Sequence, residues 1–559
     1  MSILVTSGGG VVTLAGGVPR LNADPIPANR RTDWTYAGVP GGIPARAVTP
    51  YATFSPGATA AQINAAIIAC SAAGGGVVYL NAGIYTIDPI VISSNNVTVR
   101  GAGAGQTILV GGALVYLGGG GVTADGRALT GGGVQGTHTF AVASTSGLSV
   151  GQMIELDRDD DLTYVINPNG YTRTLRQVNL ITDITGTTVT VQNPLFVDFT
   201  TGNPQIRFTY THKQWSGLED VTLDHTGYES GANFKMEYAY ACWAKGVESK
   251  LSSSFHLQML GTLNNEVRDS YIHEAQSYGP NHAGIAVFGS QAWGSNSSGK
   301  IENNIFDRLF PAVEMQICSS GFVISYNYFH GSQSAASAAP VTWTMLDNHG
   351  PHDTMNLWEG NIGEMFGSDG YFGGSSYGTA ARNYLSGYNP NFETFAAPVY
   401  LARLSYRYNL VGNVLGSTEL GATAYVHTQD GCDGTWVCRG IYMLGYPNMG
   451  NLSLTYSGSY AVDGMTYPDA AVASTLLRWG NYDTYTETVR WEASEIPVDV
   501  SVPPLHVVPT SYVYTSKPAW FGEVVWPPIG PDVTGGTGGN GTTDTHVHKI
   551  PAQLRFEAL

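Results

Sequence analysis

Along most of the chain the apolar residues come in short alternating runs, not in long helical stripes. GVVYLNAG, YTIDPIVIS and NNVTVRGAG, which together span residues 76–103, place apolar side chains at every second position. That period is the mark of a strand with distinct faces. One segment departs from it. In TAAQINAAIIACSAAGGG, Ile63, Ala66, Ile67 and Cys70 follow i, i+3, i+4, i+7, and Thr59 and Gln62 have capping-box spacing. Gly74 supplies the stop. A single amphipathic helix followed by short strands is what a solenoid needs to cover its first open edge.

After Trp215 the runs repeat. VTLDHTG, VRDSYIHE, IENNIFDR, ISYNYFHG, WEGNIGEM, ARNYLSGY and LVGNVLGS each set a polar or small residue, often Asn, inside a short apolar strand. The recurring Asn falls at Asn304, Asn327, Asn361, Asn383 and Asn413, with intervals of 23, 34, 22 and 30. A base period near 22 with loop insertions predicts the rungs of a parallel β-helix. Asn suits the turns because it tolerates left-handed backbone and can ladder with the next rung. The expected fold is therefore all-β: a right-handed parallel β-helix with an N-terminal capping helix and a small β insertion. The expected organisation is an extended arm over 1–50, first rungs over 51–130 and a β-rich insertion over 131–205. A central coil with the active groove follows over 206–440, then C-terminal rungs and a docked, aromatic-rich tail over 441–559.

Composition narrows this further. Of 559 residues 71 are Gly, nearly twice the ordinary share of about 7%, and only 12% are charged, which argues against helical bundles. The net charge of −17 repels nucleic acid and anionic membranes, so neither is expected as a partner. No apolar run approaches the roughly 20 residues of a membrane span. The N-terminus lacks a basic n-region and reads poorly as a signal peptide. Secretion by another route, or a place on a virion or cell surface, is the expectation. Of five Cys, Cys432 and Cys438 flank a short loop and can close a disulfide, whereas Cys70, Cys242 and Cys318 sit in apolar surroundings and read as core.

The run ATAAQINAAIIAC…GGGVVYLNAGIYTI…NNVTVRGAG resembles the opening of right-handed parallel β-helix proteins of the pectate lyase superfamily. The likeness covers about residues 50–120 and 215–430. DWTYAGVPGGIP, DNHGPHDTMNLWEGN, KPAWFG and WPPIGPDV resemble a narrower set of large secreted bacterial β-helix proteins. The superfamily implies carbohydrate binding on the outside of the coil, by lyases, hydrolases, epimerases, tailspikes or adhesins. Its pectate lyase motifs, an RxPxxR-like segment and WxDH, are missing here, and so are the paired Asp motifs of polygalacturonases. β-Helix fibres often trimerise, so a homotrimer is an admitted assembly.

The densest polar cluster lies within residues 341–383. It offers Asp347, His349, His352, Glu359, Asp369 and Arg382, interleaved with Trp343, Trp358 and Tyr371. For β-elimination, His349 or His352 is the candidate base, Arg382 the group that neutralises a uronate carboxylate, and Tyr371 the acid. For hydrolysis, two carboxyls must flank the bond; Glu359 with Asp369, or Glu314 with Glu359, are the candidate pairs. Glu314 stands in the apolar run RLFPAVEMQICSS, where burial raises a carboxyl's pKa and suits it to donate a proton. Asp347 with the two His is a candidate metal set, though HxxH in a Pro/Gly turn is a weak signal. Tyr278, His282 and Trp293, in a second cluster, are candidate sugar contacts. The run Asp157, Asp159, Asp160 and Asp161 admits Ca2+; no cofactor is certain. The expected function is a carbohydrate-active protein, a polysaccharide lyase first and a glycoside hydrolase second. The alternative is a non-catalytic glycan-binding adhesin or tailspike-like fibre.

Overall fold

The apolar runs are only three to five residues long because each ends where the backbone must bend, and several bends need positive φ. Asp220, Asp269, Asn303 and Arg382 take φ of 52–58° at such corners, a conformation Asn and Asp tolerate better than most residues. The computed structural model describes residues 24–46, 48–167, 170–278, 284–290, 292–333, 344–390, 395–427, 438–446 and 467–559. The chain winds as a right-handed parallel β-helix. Three twelve-stranded sheets form its walls. Sheet 1 runs from Ala52–Phe54 to Leu477–Trp479, and sheet 2 from Gly83–Thr86 to Thr488–Arg490. Sheet 3 begins at Ile90–Ile92 and includes Ile285–Phe288, Val313–Gln316, Met345–Leu346 and Phe366–Ser368.

Helix Ala60–Ala72 covers the first rung, with the Thr59–Gln62 capping box formed and Ile63, Ile67 and Cys70 fully buried. At the far end Thr488–Arg490 pairs antiparallel with Asn481–Asp483 and covers the last parallel edge of sheet 2.

The Asn column is a continuous ladder at the corner between sheets 1 and 2. Each Oδ1 accepts the backbone N–H of the Asn one rung earlier: Asn327 from Asn304, Asn361 from Asn327, Asn383 from Asn361 and Asn413 from Asn383, at 2.9–3.0 Å. Each Nδ2 donates to a carbonyl across the corner, Ile324 O for Asn361. The column runs on to Asn481, 68 residues beyond Asn413 in sequence.

Between Val115–Gly118 and Gly217–Glu219 the chain leaves the coil and forms a closed six-stranded barrel, from Gly121–Gly132 to Gln205–Thr211. Val97–Arg100 pairs directly with Gly217–Glu219, so the barrel interrupts a single turn from sheet 3 to sheet 1. It then lies along that row of turns over later rungs. Ser297 Oγ accepts from Val178 N–H, Ser320 Oγ donates to Arg176 O, and Gly374 N–H donates to Ile166 O. The acidic run is spent on the barrel itself. Asp157 pairs with Arg173 and Arg207, Asp159 with Arg173, and Asp160 and Asp161 accept from nearby Thr groups. These are the protein partners of the carboxylates that the sequence offered for Ca2+.

The outer faces of sheets 1 and 2 are covered by the ends of the chain. Ile26, Trp34 and Ala37 of the N-terminal arm pack on Val323, Leu357, Val411 and Trp479, joined by Tyr512 and Val513 from the tail. Phe521, Ile529, Val547 and Ile550 of the tail pack on Ile305, Ile362, Tyr384 and Tyr482. On the outside of sheet 3 the buried cluster of Leu346, Met365, Tyr400 and Met443 contains no arm or tail residue.

Candidate functional site

The strand Val313–Gln316 turns Val313 and Met315 into the coil and Glu314 and Gln316 outward. Glu314 lies in register with Leu346 on the next rung, and Leu346 with Gly367 on the one after. His349 follows Leu346 by three residues and Asp369 follows Gly367 by two. Their loops are tied together: Asn348 Nδ2 donates to Asp369 O at 2.7 Å and to Gly373 O at 3.1 Å. Three successive rungs thus bring Glu314, His349 and Asp369 to one place on sheet 3.

His349 is the bridge. Its Nδ1 is hydrogen-bonded to Asp369 Oδ2, and its Nε2 lies 3.9 Å from Glu314 Oε1. Burial disfavours a charged imidazole, but the charge and hydrogen bond of Asp369, with Glu314 behind, outweigh it and lift the His349 pKa to about 9. Glu314 is 5% exposed, and burial raises its pKa; Asp369 adds to the rise and the His349 charge opposes it. Gln316 Nε2 donates to Glu314 Oε1 at 3.0 Å. Asp369 Oδ1 accepts the N–H of Tyr371 at 3.0 Å. Phe372 meets the imidazole edge-on at 5.1 Å and Tyr371 at 4.7 Å. The imidazole keeps 28% of its side-chain surface open, so solvent reaches the group between the two carboxyls.

The raised His349 value sets a pH dependence. Folding stabilises the imidazolium, so its contribution is full below about pH 6.5 and is lost as pH rises through about 9. Thermal melts should show a fall in Tm across that window, and His349→Gln should flatten it. An equal fall in the variant would disprove the pairing.

Several candidates from the sequence take other roles. Glu359 points outward from sheet 1, not sheet 3. Its carboxyl accepts from Ser511 Oγ, from Tyr512 N–H at 2.6 Å and from Tyr326 at 3.2 Å, so it anchors the tail and is not a catalytic acid. Arg382 likewise forks onto Asp532 at 2.8 Å and donates to Pro509 O and Ile529 O, which leaves no guanidinium for a uronate. Trp358 faces the interior, wholly buried, with Nε1 donating to Asp347 Oδ1 at 2.7 Å; it has no face for a sugar. Asp347 is inside the coil with it, its pKa raised by burial to about 7, and is no surface metal ligand. Among the described residues no three His, Cys, Asp or Glu are grouped to hold a metal ion. His352 is buried against Ser376 Oγ at 2.6 Å, and burial lowers its pKa to about 3, so it is a neutral core group and not the base.

Tyr278 is half-buried near Glu274 and Arg308, beyond sheet 2 and away from His349. Trp293 is 58% exposed on a loop after the strand Ile285–Phe288. Trp343, His282 and the loop 428–437, with Cys432 in it, lie outside the described residues, so the disulfide considered with Cys438 does too. Asn348, Gln316 and Phe372 are site residues that the sequence reading does not single out. The alternation in VEMQ was a usable signal for Gln316, since it must share the outward face of Glu314.

No protein-family model matches the chain, and no curated protein sequence matches it. Among solved structures it is similar to the tailspike protein gp49 from Pseudomonas phage LKA1, at 13% identity and TM-score 0.44. That match covers 64% of this chain and 58% of the tailspike. It is also similar to the A-module of the Azotobacter vinelandii mannuronan C-5 epimerase AlgE4, at 13% identity and TM-score 0.37, over 77% and 86% of the two chains. A third is the pectate lyase Bsp165PelA from Bacillus sp. N165, at 12% identity and TM-score 0.32, over 68% and 85%. The fold rests on the strand pairing of this chain, not on these likenesses.

Proposed function

We propose that this β-helix protein hydrolyses an extracellular polysaccharide on the outside of sheet 3, with inversion at the anomeric carbon. One observation carries the reading: Glu314 and Asp369 are held at opposite ends of the His349 ring, on the outward side of sheet 3. Glu314 stands two strands before the rung that carries Asp369. An inverting pair needs its carboxyls roughly 6.5–9.5 Å apart, with room for a water between them. Glu314, with its raised pKa, gives its proton to the glycosidic oxygen as the bond to the anomeric carbon breaks. Asp369 takes a proton from the water that attacks the opposite face. His349 orients Asp369 and balances its charge. Tyr371 and Phe372 supply apolar faces for a sugar ring.

Elimination from a uronate is less well supported. It needs a cation for the substrate carboxylate, and Arg382 is committed to Asp532. The imidazolium that remains is already paired with Asp369. A net charge of −17 also favours a neutral or weakly charged glycan. A panel of bacterial capsular and plant polysaccharides tests this. New reducing ends without unsaturated-uronate absorbance, and an inverted anomer in the first NMR spectra, are expected. Unsaturated products would establish a lyase, and saccharide binding without products would establish a binding protein.

A further inference from the structure

Gln316 has one feature that its hold on Glu314 leaves unused. Its Nε2 is occupied by Glu314, but its Oε1 is buried and accepts no hydrogen bond. The side chain is 7% exposed and lies on the outward face of sheet 3. A buried acceptor without a donor has given up its hydrogen bond to water for nothing, so such a group calls for a partner. Beside it, one rung nearer the N-terminus, Phe288 stands in register with Gln316 and is half-buried. Five residues on, Trp293 is 58% exposed, which places its Cα within about 18 Å of that of Phe288.

The Trp293 loop is held in place. Ser290 bridges to Gly294, Arg176 Nη1 of the barrel donates to Ser290 O at 3.2 Å, and a side chain at Gly294 would strike the Tyr210 hydroxyl. A large exposed aromatic on a loop that follows the strand beside an unpartnered acceptor, itself next to a catalytic carboxyl, has the make-up of a sugar subsite: a flat apolar face with one polar group to fix orientation. We infer that Gln316, Phe288 and Trp293 form a second saccharide subsite, so that the glycan runs along the coil axis from the Asp369 rung past Glu314 toward the Phe288 rung. This rests on the hydrolase reading above. The hydroxyl of a sugar next to the cleaved bond donates to Gln316 Oε1, and a more distant ring stacks on Trp293.

The test uses the full chain and a polysaccharide that it cleaves, digested to a graded series of oligosaccharides. Trp293→Ala is expected to raise KM for the longest oligomers by roughly three- to tenfold and to have a much smaller effect on the shortest cleaved ones. Gln316→Met keeps the side-chain length and lacks the carbonyl. It should raise KM for oligomers that occupy the neighbouring subsite, whereas a purely structural role would lower kcat equally for every length. Binding to Glu314→Gln, measured by calorimetry with the same series, separates affinity from turnover. If both variants bind and cleave all lengths like the wild type while turnover persists, the subsite is wrong and the hydrolase reading stands. If the wild type neither binds nor cleaves any glycan, both fall together.

Discussion

Glu314→Gln is expected to lower kcat on the cleaved polysaccharide by roughly 10²- to 10⁴-fold, the usual worth of a positioned general acid. The amide keeps the shape of the carboxyl, so KM should change little and the fold should hold. Burial raises the Glu314 pKa and so favours its protonated form, and an amide cannot pass a proton to a leaving oxygen. Leaving groups that need no protonation should recover most of the rate; an activated aryl glycoside of the same sugar is the measurement. If kcat stays within tenfold of wild type, Glu314 is not the acid. Asp369→Asn should behave differently, losing rate with activated and unactivated substrates alike, because the base acts on the water.

The largest effect on stability is expected at the ladder. Asn361 is fully buried and makes four hydrogen bonds: it accepts from Asn327 N–H and Nδ2 at 3.0 and 3.1 Å, and donates to Ile324 O and Asn383 Oδ1 at 2.9 Å. Asn361→Leu removes all four and leaves buried partners on both neighbouring rungs unsatisfied. At about 1–3 kcal/mol for each stranded group, a loss of about 3–5 kcal/mol is expected. Denaturant or thermal midpoints read it. A loss under about 1 kcal/mol would mean that the ladder is decoration on a coil held by its apolar interior. The rungs beyond Asn361 depend on the same column, so the damage should not stay local.

The spacing of Asn304, Asn327, Asn361, Asn383 and Asn413 made the coil legible because a corner that needs the same hydrogen bond on every rung leaves the same residue at every rung. Asn481 was not legible, since it lies 68 positions beyond Asn413 and no period survives that. The capping helix was legible for a local reason: Thr59, Gln62, Ile63, Ile67 and Cys70 fix it without outside help. The site was only half legible. Glu314, His349 and Asp369 were among the candidates, but which of the polar residues meet depends on the sheet each faces. Glu359 and Arg382 read as catalytic because they are charged residues at outward positions. The groups they serve, Ser511 and Asp532, lie about 150 residues downstream, and no local pattern shows that a tail returns to cover them. Trp358 was readable as core, because it occupies the inward phase between Leu357 and Glu359.

The arm and the tail change how this coil should come apart. A stack of repeats in contact only with its neighbours loses rungs progressively from its ends, with a broad transition. Here Arg30 reaches Asn409 and Thr475, Tyr514 reaches Glu302, and Arg555 reaches Asp269 and Asn303. Terminal segments separated by hundreds of residues span the same rungs lengthwise, like battens nailed across planks. A rung cannot leave without lifting a batten that holds several others. The consequence is cooperativity: the coil should melt in one sharp, slow transition, with its ends no more labile than its middle.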